Sequence, residues 1–339
     1  MKKKIITILL VLSLILLIAN MILGIIGEGN GVQPKKTENV AFIDSLFLHS
    51  LNEFGLDSNW VQIKHIKNKN KDSLHYVYNV KVPSDLPITI ILQDLTNQFG
   101  KYAVDMLSEE QIVNRKSVLD IYSGDVHKLE AQFTADEEAV REHSKFAFII
   151  NDYSDLDDDM RAQILKSKFT LSVSFIPSEN SLTFLPDITK DNKRYCIELN
   201  DNISDENYEL DKGMAKILLK ESIRQIIRDF PEADLVMIDN NSEIFLSAAF
   251  NFVRDQFGGE SIKLYNETDF VGLPKNLEEA KSLLSFYQKS EINKNGKIFL
   301  VNGSVFTGLL NELDRYKKLG TKFYFPSELT GDGDKSSSN

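Results

Sequence analysis

The stretch Phe146-Ala-Phe-Ile-Ile-Asn-Asp152 decides how the larger part of this chain folds. Five apolar residues in a row, followed by two polar ones, are typical of a strand that is buried on both faces of a parallel sheet and ends at a loop. A second such stretch, Leu171-Ser-Val-Ser-Phe-Ile-Pro177, follows after a segment with helical periodicity. Strand, helix and strand in this order predict a parallel β-α-β unit.

The same alternation continues to residue 329 and predicts an α/β domain over residues 144–329. Seven parallel strands with helices between them favour an open or incomplete α/β barrel over a doubly wound sheet, although periodicity alone does not separate the two. The predicted strands are residues 146–150, 171–177, 195–199, 235–238, 262–265, 298–301 and 323–325, and the predicted helices are 157–165, 210–230, 244–257, 277–287 and 305–316.

Residues 38–143 have a different pattern, which predicts a small α+β domain. A helix ends at Gly55, and two alternating stretches flank the turn at residues 68–72 as a hairpin. Helical spacing returns over residues 87–107, and two strand-like runs follow at 111–122 and 127–134.

The first 27 residues indicate a membrane anchor. Three lysines precede an uncharged apolar stretch at residues 5–26, which is long enough to cross a bilayer, since about 20 residues suffice. A cleavable signal peptide is the alternative, but its apolar region is usually about 7–15 residues. The lysines favour a cytoplasmic N-terminus, so we expect a single-pass protein whose later domains are extracytoplasmic. Residues 28–37 read as a linker and 330–339 as a disordered tail.

Composition excludes several classes of protein. The 339 residues include 39 basic and 50 acidic ones, a net charge of −11, so phosphate repulsion argues against nucleic acid as a partner. The single cysteine, Cys196, excludes an intrachain disulfide scaffold and a cysteine-rich zinc module. Its apolar neighbours predict a buried, small hydrophobic residue.

The five histidines all precede residue 144 and show no metal-ligand spacing, so surface or partly buried positions are predicted for them. The chain after residue 143 therefore offers no Ser/His/Asp or Cys/His arrangement. The histidines are His49, His65, His75, His127 and His143.

Polar residues follow several predicted strands, where parallel barrels place their chemistry. Asp152, Glu198 and Asp239 can converge as a carboxylate cluster that holds a hard cation or hydrogen-bonds sugar hydroxyls. Helix capping is the competing interpretation, because Asp, Asn and Ser are favoured at helix starts. The strand-end residues are Asn151, Asp152, Glu198, Asp239, Asn240 and Asn302.

Over about residues 144–330, these features resemble the divergent polysaccharide deacetylase family, an offshoot of the polysaccharide deacetylase superfamily. The resemblance implies an irregular seven-stranded barrel and a divalent metal, commonly zinc, held by an aspartate and histidines, which polarises an acetyl carbonyl and activates water. Besides the two opening strands, the matching stretches are Leu235-Val-Met-Ile-Asp-Asn-Asn241, Phe299-Leu-Val-Asn-Gly303 and Leu319-Gly-Thr-Lys-Phe-Tyr-Phe-Pro-Ser-Glu-Leu329.

The chain departs from the family pattern at its metal-binding positions. Asn151 replaces the first of the paired aspartates and leaves Asp152 at the metal-binding position. Glu198 and Asn302 stand where the family carries histidines. Zinc with imidazole ligands is therefore not expected, and Asp152 with Glu198 would offer at most a carboxylate site for Mg²⁺ or Ca²⁺. The resemblance places Asp239, Asn240 and Asn302 at substrate-binding positions.

Two functions follow as hypotheses. We favour a membrane-anchored, extracytoplasmic, deacetylase-like protein of cell-envelope carbohydrate metabolism that is non-catalytic and binds a glycan or an envelope protein, because the chemistry needs imidazole. The alternative is an active metal-dependent deacetylase of N-acetylated cell-wall or exopolysaccharide sugars, with a rearranged carboxylate site.

Overall fold

The computed structural model describes residues 37–56, 58–66, 72–74, 76–113, 115–141, 143–290 and 295–330. The predicted anchor at residues 5–26 lies outside them, as do nearly all of the predicted linker and tail. Within the described ranges, no helix is long and apolar enough to cross a membrane. The chain divides into two compact units, one formed by residues up to Asn52 and by Leu56–Val140, the other by Glu53–Gly55 and Arg141–Asn339.

The first unit is a five-stranded sheet with two helices. The strand order is β1-β2-β5-β4-β3, in which β2 and β5 are parallel and the other neighbours antiparallel. Phe47 of the first helix packs against Tyr78 and Phe133 of the sheet. The elements are α1 (Val40–Glu53), β1 (Val61–His65), β2 (Tyr76–Pro83), α2 (Ile88–Phe99), β3 (Asp105–Ile112), β4 (Lys116–Ser123) and β5 (Val126–Asp136).

Two predictions for this unit are wrong. The strand predicted over residues 111–122 is interrupted, because β3 ends at Ile112 and β4 begins at Lys116. The helix predicted over residues 87–107 ends at Phe99, and the chain from Asp105 onward forms β3. Because β3 is an edge strand, nearly all its side chains are exposed, and it lacks the apolar alternation that marks a half-buried strand. Leu107 fits the helical spacing but is exposed.

The second unit is a curled sheet of eight strands, all paired in parallel, in an α/β arrangement. The order is β10-β9-β8-β7-β6-β12-β11, and β13 also pairs with β6. In the described part of the chain no pairing closes the sheet between β10 and β11. The strands are β6 (Lys145–Ile150), β7 (Ser172–Phe175), β8 (Arg194–Leu199), β9 (Val236–Ile238), β10 (Leu264–Asn266), β11 (Val271–Gly272), β12 (Lys297–Val301) and β13 (Lys322–Tyr324).

All seven predicted strands occur, and the additional β11 has two residues, too few to show a periodicity. Two predicted helices begin later than expected, because the apolar residues Leu210 and Ile244 are buried from loops rather than from helices. The helices of this unit are α3 (Asp158–Leu165), α4 (Glu179–Leu182), α5 (Leu185–Lys190), α6 (Lys216–Asp229), α7 (Phe250–Gly259), α8 (Leu277–Ser290), α9 (Gly303–Lys318) and α10 (Pro326–Leu329).

The sheet is buried on both faces, which explains its unbroken apolar strands. Phe146, Phe148 and Ile150 of β6 pack toward the helices. Ala147 and Ile149 alternate with them and face the inside of the curl, where the fully buried Cys196 also lies, as predicted. The inner cluster is Ala147, Ile149, Cys196, Leu235, Met237, Tyr265, Phe270 and Ile298.

Candidate functional site

A polar cavity of about 380 Å³ opens where β6, β7 and β8 end. Its position follows from strand alternation: Glu198 lies two residues beyond the inward-facing Cys196, and Ser174 pairs in register with Cys196. We call this space the mouth cavity. Its lining is Asn151, Asp152, Tyr153, Ser154, Asp155, Ser174, Phe175, Ile176, Pro177, Ser178, Asn180, Ser181, Glu198, Asn200, Asn202 and Ser204.

A larger cavity of about 910 Å³ lies in the same unit against α6 and α7. None of the six predicted site residues lines it. Since parallel α/β folds place their chemistry at the carboxyl ends of the strands, the smaller mouth cavity is the candidate site.

Asp152 caps a helix that is distant in sequence. Its Oδ1 accepts a hydrogen bond of 2.7 Å from the backbone N–H of Gly303, the first residue of α9. Its Oδ2 accepts a 3.0 Å bond from the amide of Asn302. The carboxylate therefore satisfies an N–H that the helix leaves unpaired and faces the positive end of the helix dipole.

Gly303 permits this close approach. A Cβ at this position would lie 2.5 Å from Leu156 Cδ1 and 3.0 Å from Ile164 Cδ1. The absence of a side chain thus lets the start of α9 pack against the segment that follows Asp152.

Glu198 is the most strongly perturbed carboxyl at the mouth. Burial raises its pKa to about 7, and the carboxylates of Glu267 and Asp239 contribute to the rise. The amide of Asn200 donates a 2.6 Å bond to Oε1, which opposes the shift. The pKa of Glu267 is also raised, first by burial and then by Asp239. Glu198 is therefore divided between its acid and its carboxylate forms near neutral pH.

Asp239 has a local structural role. Its Oδ1 accepts bonds from the backbone N–H and the side-chain amide of Asn241, at 2.8 and 3.1 Å. Neither Asp239 nor Asn240 lines the mouth cavity, and Asn302 reaches it only through its bond to Asp152. The structure thus brings together Asn151, Asp152 and Glu198, with Asp239 acting on Glu198 through its charge.

Two residues of the mouth were not predicted. Ser174 is 1% exposed and its Oγ has no hydrogen-bond partner among the described residues. The sequence feature that could have revealed it is its position in β7, where serines alternate with Val173 and Phe175, so that Ser174 falls beside the inward-facing Cys196. Glu267 follows β10 in a short 3₁₀ turn, Glu267–Asp269, and lies just beyond the strand as it was predicted, so its place at the mouth was missed.

None of the four described histidines is among the lining residues of the mouth cavity. His49 and His65 are exposed, and His127 and His143 are partly buried, as predicted, while His75 lies outside the described residues. His143 belongs to the second unit. Because His143 precedes β6 and Asp152 follows it, the two residues lie at opposite ends of this strand. His127 contacts Asp120 at 2.9 Å in the first unit.

The residues at the mouth do not fit the zinc that the family resemblance implies. Both oxygens of Asp152 hold the start of α9 and Asn302. In the ranges that the structure describes, no group of three or more His, Cys, Asp or Glu side chains is placed to hold a metal ion. The lining residues of the mouth cavity likewise include no histidine.

Comparison with solved structures finds several of low sequence identity that are similar to this chain. A CE4 family pseudoenzyme from Bacillus anthracis is 11% identical, with a TM-score of 0.38 over 71% of this chain and 95% of that one. A family 4 carbohydrate esterase from Bacillus subtilis is 12% identical, with a TM-score of 0.34 over 57% and 85%. An uncharacterized protein from Agrobacterium tumefaciens is 12% identical, with a TM-score of 0.38 over 57% and 92%.

At these identities and TM-scores, the likeness carries no conclusion about the family or the activity of this chain. No family model matches the sequence, and no curated protein matches it either.

We expect Asp152→Ala to loosen the start of α9. The substitution removes two hydrogen bonds to a charged acceptor and leaves the Gly303 N–H unpaired, at a cost of about 2 kcal/mol. Hydrogen exchange of the full chain should show faster exchange at the first turn of α9. The exposed Glu206 provides the control, since Glu206→Ala should leave that turn unchanged. Equal protection in both variants would contradict the capping role.

We expect Glu198→Gln to stabilise the second unit at alkaline pH. Because the folded-state pKa lies near 7 rather than at the ordinary 4.5, ionising Glu198 destabilises the fold progressively between these values and fully above pH 7. Gln cannot ionise, so the gain should reach about 2–3 kcal/mol near pH 9 and vanish below about pH 5. Calorimetric melting of both proteins across this range is the measurement. A gain in stability that is the same at every pH would show that the ionisation of Glu198 is not its cause.

Proposed function

We propose that this chain is a non-catalytic, deacetylase-like protein of the cell envelope that binds a glycan at the mouth cavity. The proposal rests on the hydrogen bonds that Asp152 accepts. The one carboxylate at the family's metal-binding position holds the start of α9 and Asn302 instead. A carboxylate with both oxygens committed to the fold is a poor ligand for a catalytic metal.

The lining of the cavity supports a glycan as its ligand. Amides and hydroxyls predominate, among them Asn180, Asn202 and Ser204, and such groups hydrogen-bond sugar hydroxyls. A volume of about 380 Å³ falls within the range of about 300–1,000 Å³ that is usual for small-molecule sites. An envelope protein as the partner would instead need a larger, flatter surface.

One observation favours the alternative, an active deacetylase with a rearranged carboxylate site. A carboxyl group whose pKa is about 7, as in Glu198, is well matched to general acid–base catalysis at neutral pH. The burial and the neighbouring carboxylates that produce this pKa are sufficient without a catalytic role.

An acetate-release assay separates the two functions. We expect no acetate from N-acetylglucosamine polymers or peptidoglycan fragments with the full chain in mild detergent, with or without added Zn²⁺, Mg²⁺ or Ca²⁺. Calorimetry should still detect binding of the fragments. Ser204→Trp, which fills the cavity entrance, should weaken that binding about tenfold or more, and Glu206→Trp, two residues away but outside the cavity, should not.

Metal-dependent acetate release that Asp152→Asn abolishes would establish the alternative. Binding that survives Ser204→Trp unchanged would move the glycan site away from the mouth cavity.

We further propose that residues 5–26 anchor the protein, with both units outside the cytoplasm. The full chain should then remain in the membrane fraction after alkaline carbonate washing, and protease added to intact spheroplasts should digest both units. Deleting residues 2–26 should leave the chain in the cytoplasm. A mature protein released without these residues would instead identify a cleaved signal peptide.

A further inference from the structure

The mouth cavity is acidic and lacks a basic counterpart. Asp152, Asp155 and Glu198 line it, and no lysine or arginine is among its lining residues. Beyond the strand ends, Glu267 and Asp239 act on Glu198 through their charges. An anionic ligand would therefore be repelled, and a ligand that carries a positive charge would be attracted.

The carboxylates at the cavity are not equivalent. Asp152 is compensated by the start of α9, and Asp155 is exposed to water. Glu198 is the carboxyl that is both recessed and uncompensated. Asn200 donates to its Oε1, and no described residue donates to its Oε2, which leaves that oxygen available to a ligand.

Ser174 independently indicates a ligand. Its side chain lines the cavity, is almost fully buried, and has no hydrogen-bond partner for Oγ among the described residues. Buried hydroxyls in folded proteins are nearly always paired, so an orphan that faces a cavity marks a place where a bound group completes the hydrogen bonding. Ser174 lies on β7 beside Cys196 of β8, one inward-facing position below Glu198.

We propose that the mouth cavity recognises a primary ammonium group carried by a hydroxyl-rich ligand, that is, a sugar with a free amine. The carboxylate of Glu198 accepts one N–H of the ammonium, and Ser174 Oγ accepts a second. The amides and hydroxyls along the wall bind the sugar hydroxyls. This inference rests on the proposed glycan-binding function and specifies which sugars the site prefers.

Binding of an ammonium group should change the protonation of Glu198. The carboxylates of Glu267 and Asp239 act on Glu198 through their charges, and Asp152 and Asp155 line the same cavity. An ammonium bound among them favours the ionised form of Glu198, so binding releases a proton when Glu198 was protonated beforehand. Affinity should rise with pH through about 7, until the amine itself loses its proton.

A neutral N-acetylated sugar would behave in the opposite way. Protonated Glu198 would donate a hydrogen bond to its carbonyl or hydroxyl oxygen, and affinity would fall as pH rises through the same range. The sign of the pH dependence therefore separates the two classes of ligand.

Calorimetric titration with two probes tests the proposal. Glucosamine oligosaccharides and their fully N-acetylated counterparts of equal length are titrated into the full chain between about pH 5.5 and 8. We expect the amine form to bind about tenfold or more tightly at neutral pH, with affinity increasing from the acid side. An acid–base titration of the oligosaccharide alone gives the pKa of its amine. This value fixes the pH above which the affinity of the amine form should fall.

Two variants and a control complete the test. Glu198→Gln should abolish the preference for the amine and the rising part of the profile, and Glu206→Gln should change neither. Ser174→Ala should weaken binding of the amine probe severalfold while the protein stays folded, because it removes an unpaired buried hydroxyl rather than a bond.

Tighter binding of the N-acetylated probe, blocked by Ser204→Trp, would overturn this inference and leave the proposed glycan-binding function standing. Loss of binding for both probes would refute both. Binding of Mg²⁺ or Ca²⁺ alone, in competition with the amine probe and lost in Glu198→Gln, would show that the site is a metal site instead.

Discussion

The bond between Asp152 and the first N–H of α9 determines what the rest of the mouth can do. β6 and β12 are parallel neighbours, so the end of β6 and the helix that follows β12 meet at one edge of the sheet. The carboxylate of Asp152 links the end of β6 to the start of α9, because one oxygen caps the helix and the other binds Asn302. Gly303 permits the close approach. The start of α9 thereby offsets the charge of Asp152.

Because Asp152 is bonded to the start of α9, Glu198 is the buried carboxyl group of the cavity that a ligand can still bind. Asp239 is held by Asn241, and Asp201 accepts the backbone N–H of Glu243, so both stabilise loops. Among the described residues, Glu198 accepts a side-chain hydrogen bond only from Asn200, and the charges that act on it are of its own sign. Burial, followed by the repulsion from these charges, raises its pKa, because both favour the protonated form. Helix capping, one of the two interpretations that the sequence left open, occurs at Asp152, whereas a site shared by Asp152, Glu198 and Asp239 stays a prediction.

How much could be predicted from the sequence depended on burial. Strands buried on both faces, such as β6, appear as unbroken apolar runs and were predicted nearly to the residue. The edge strand β3 carries no such pattern, so its first three residues were included in a predicted helix and its last two in a predicted strand, and β11 is too short for any pattern. The site was harder, because its decisive contact joins Asp152 to residues 150 and 151 positions away. The residue types in the sequence mark Asp152 and Asn302 as unusual. Which of them caps, which ligates and which remains free depends on distances that only the folded chain supplies.

The charges at the strand ends limit which ligands the mouth cavity can hold. Asp152, Asp155 and Glu198 line the cavity, and no lysine or arginine is among its lining residues. Because the start of α9 offsets the charge of Asp152, the negative charge that remains uncompensated is centred on Glu198, where Glu267 and Asp239 add to it. A field of this sign repels an anionic ligand and attracts a cationic one. The same carboxyl group whose ionisation costs the fold stability is therefore the one that a positively charged ligand would stabilise.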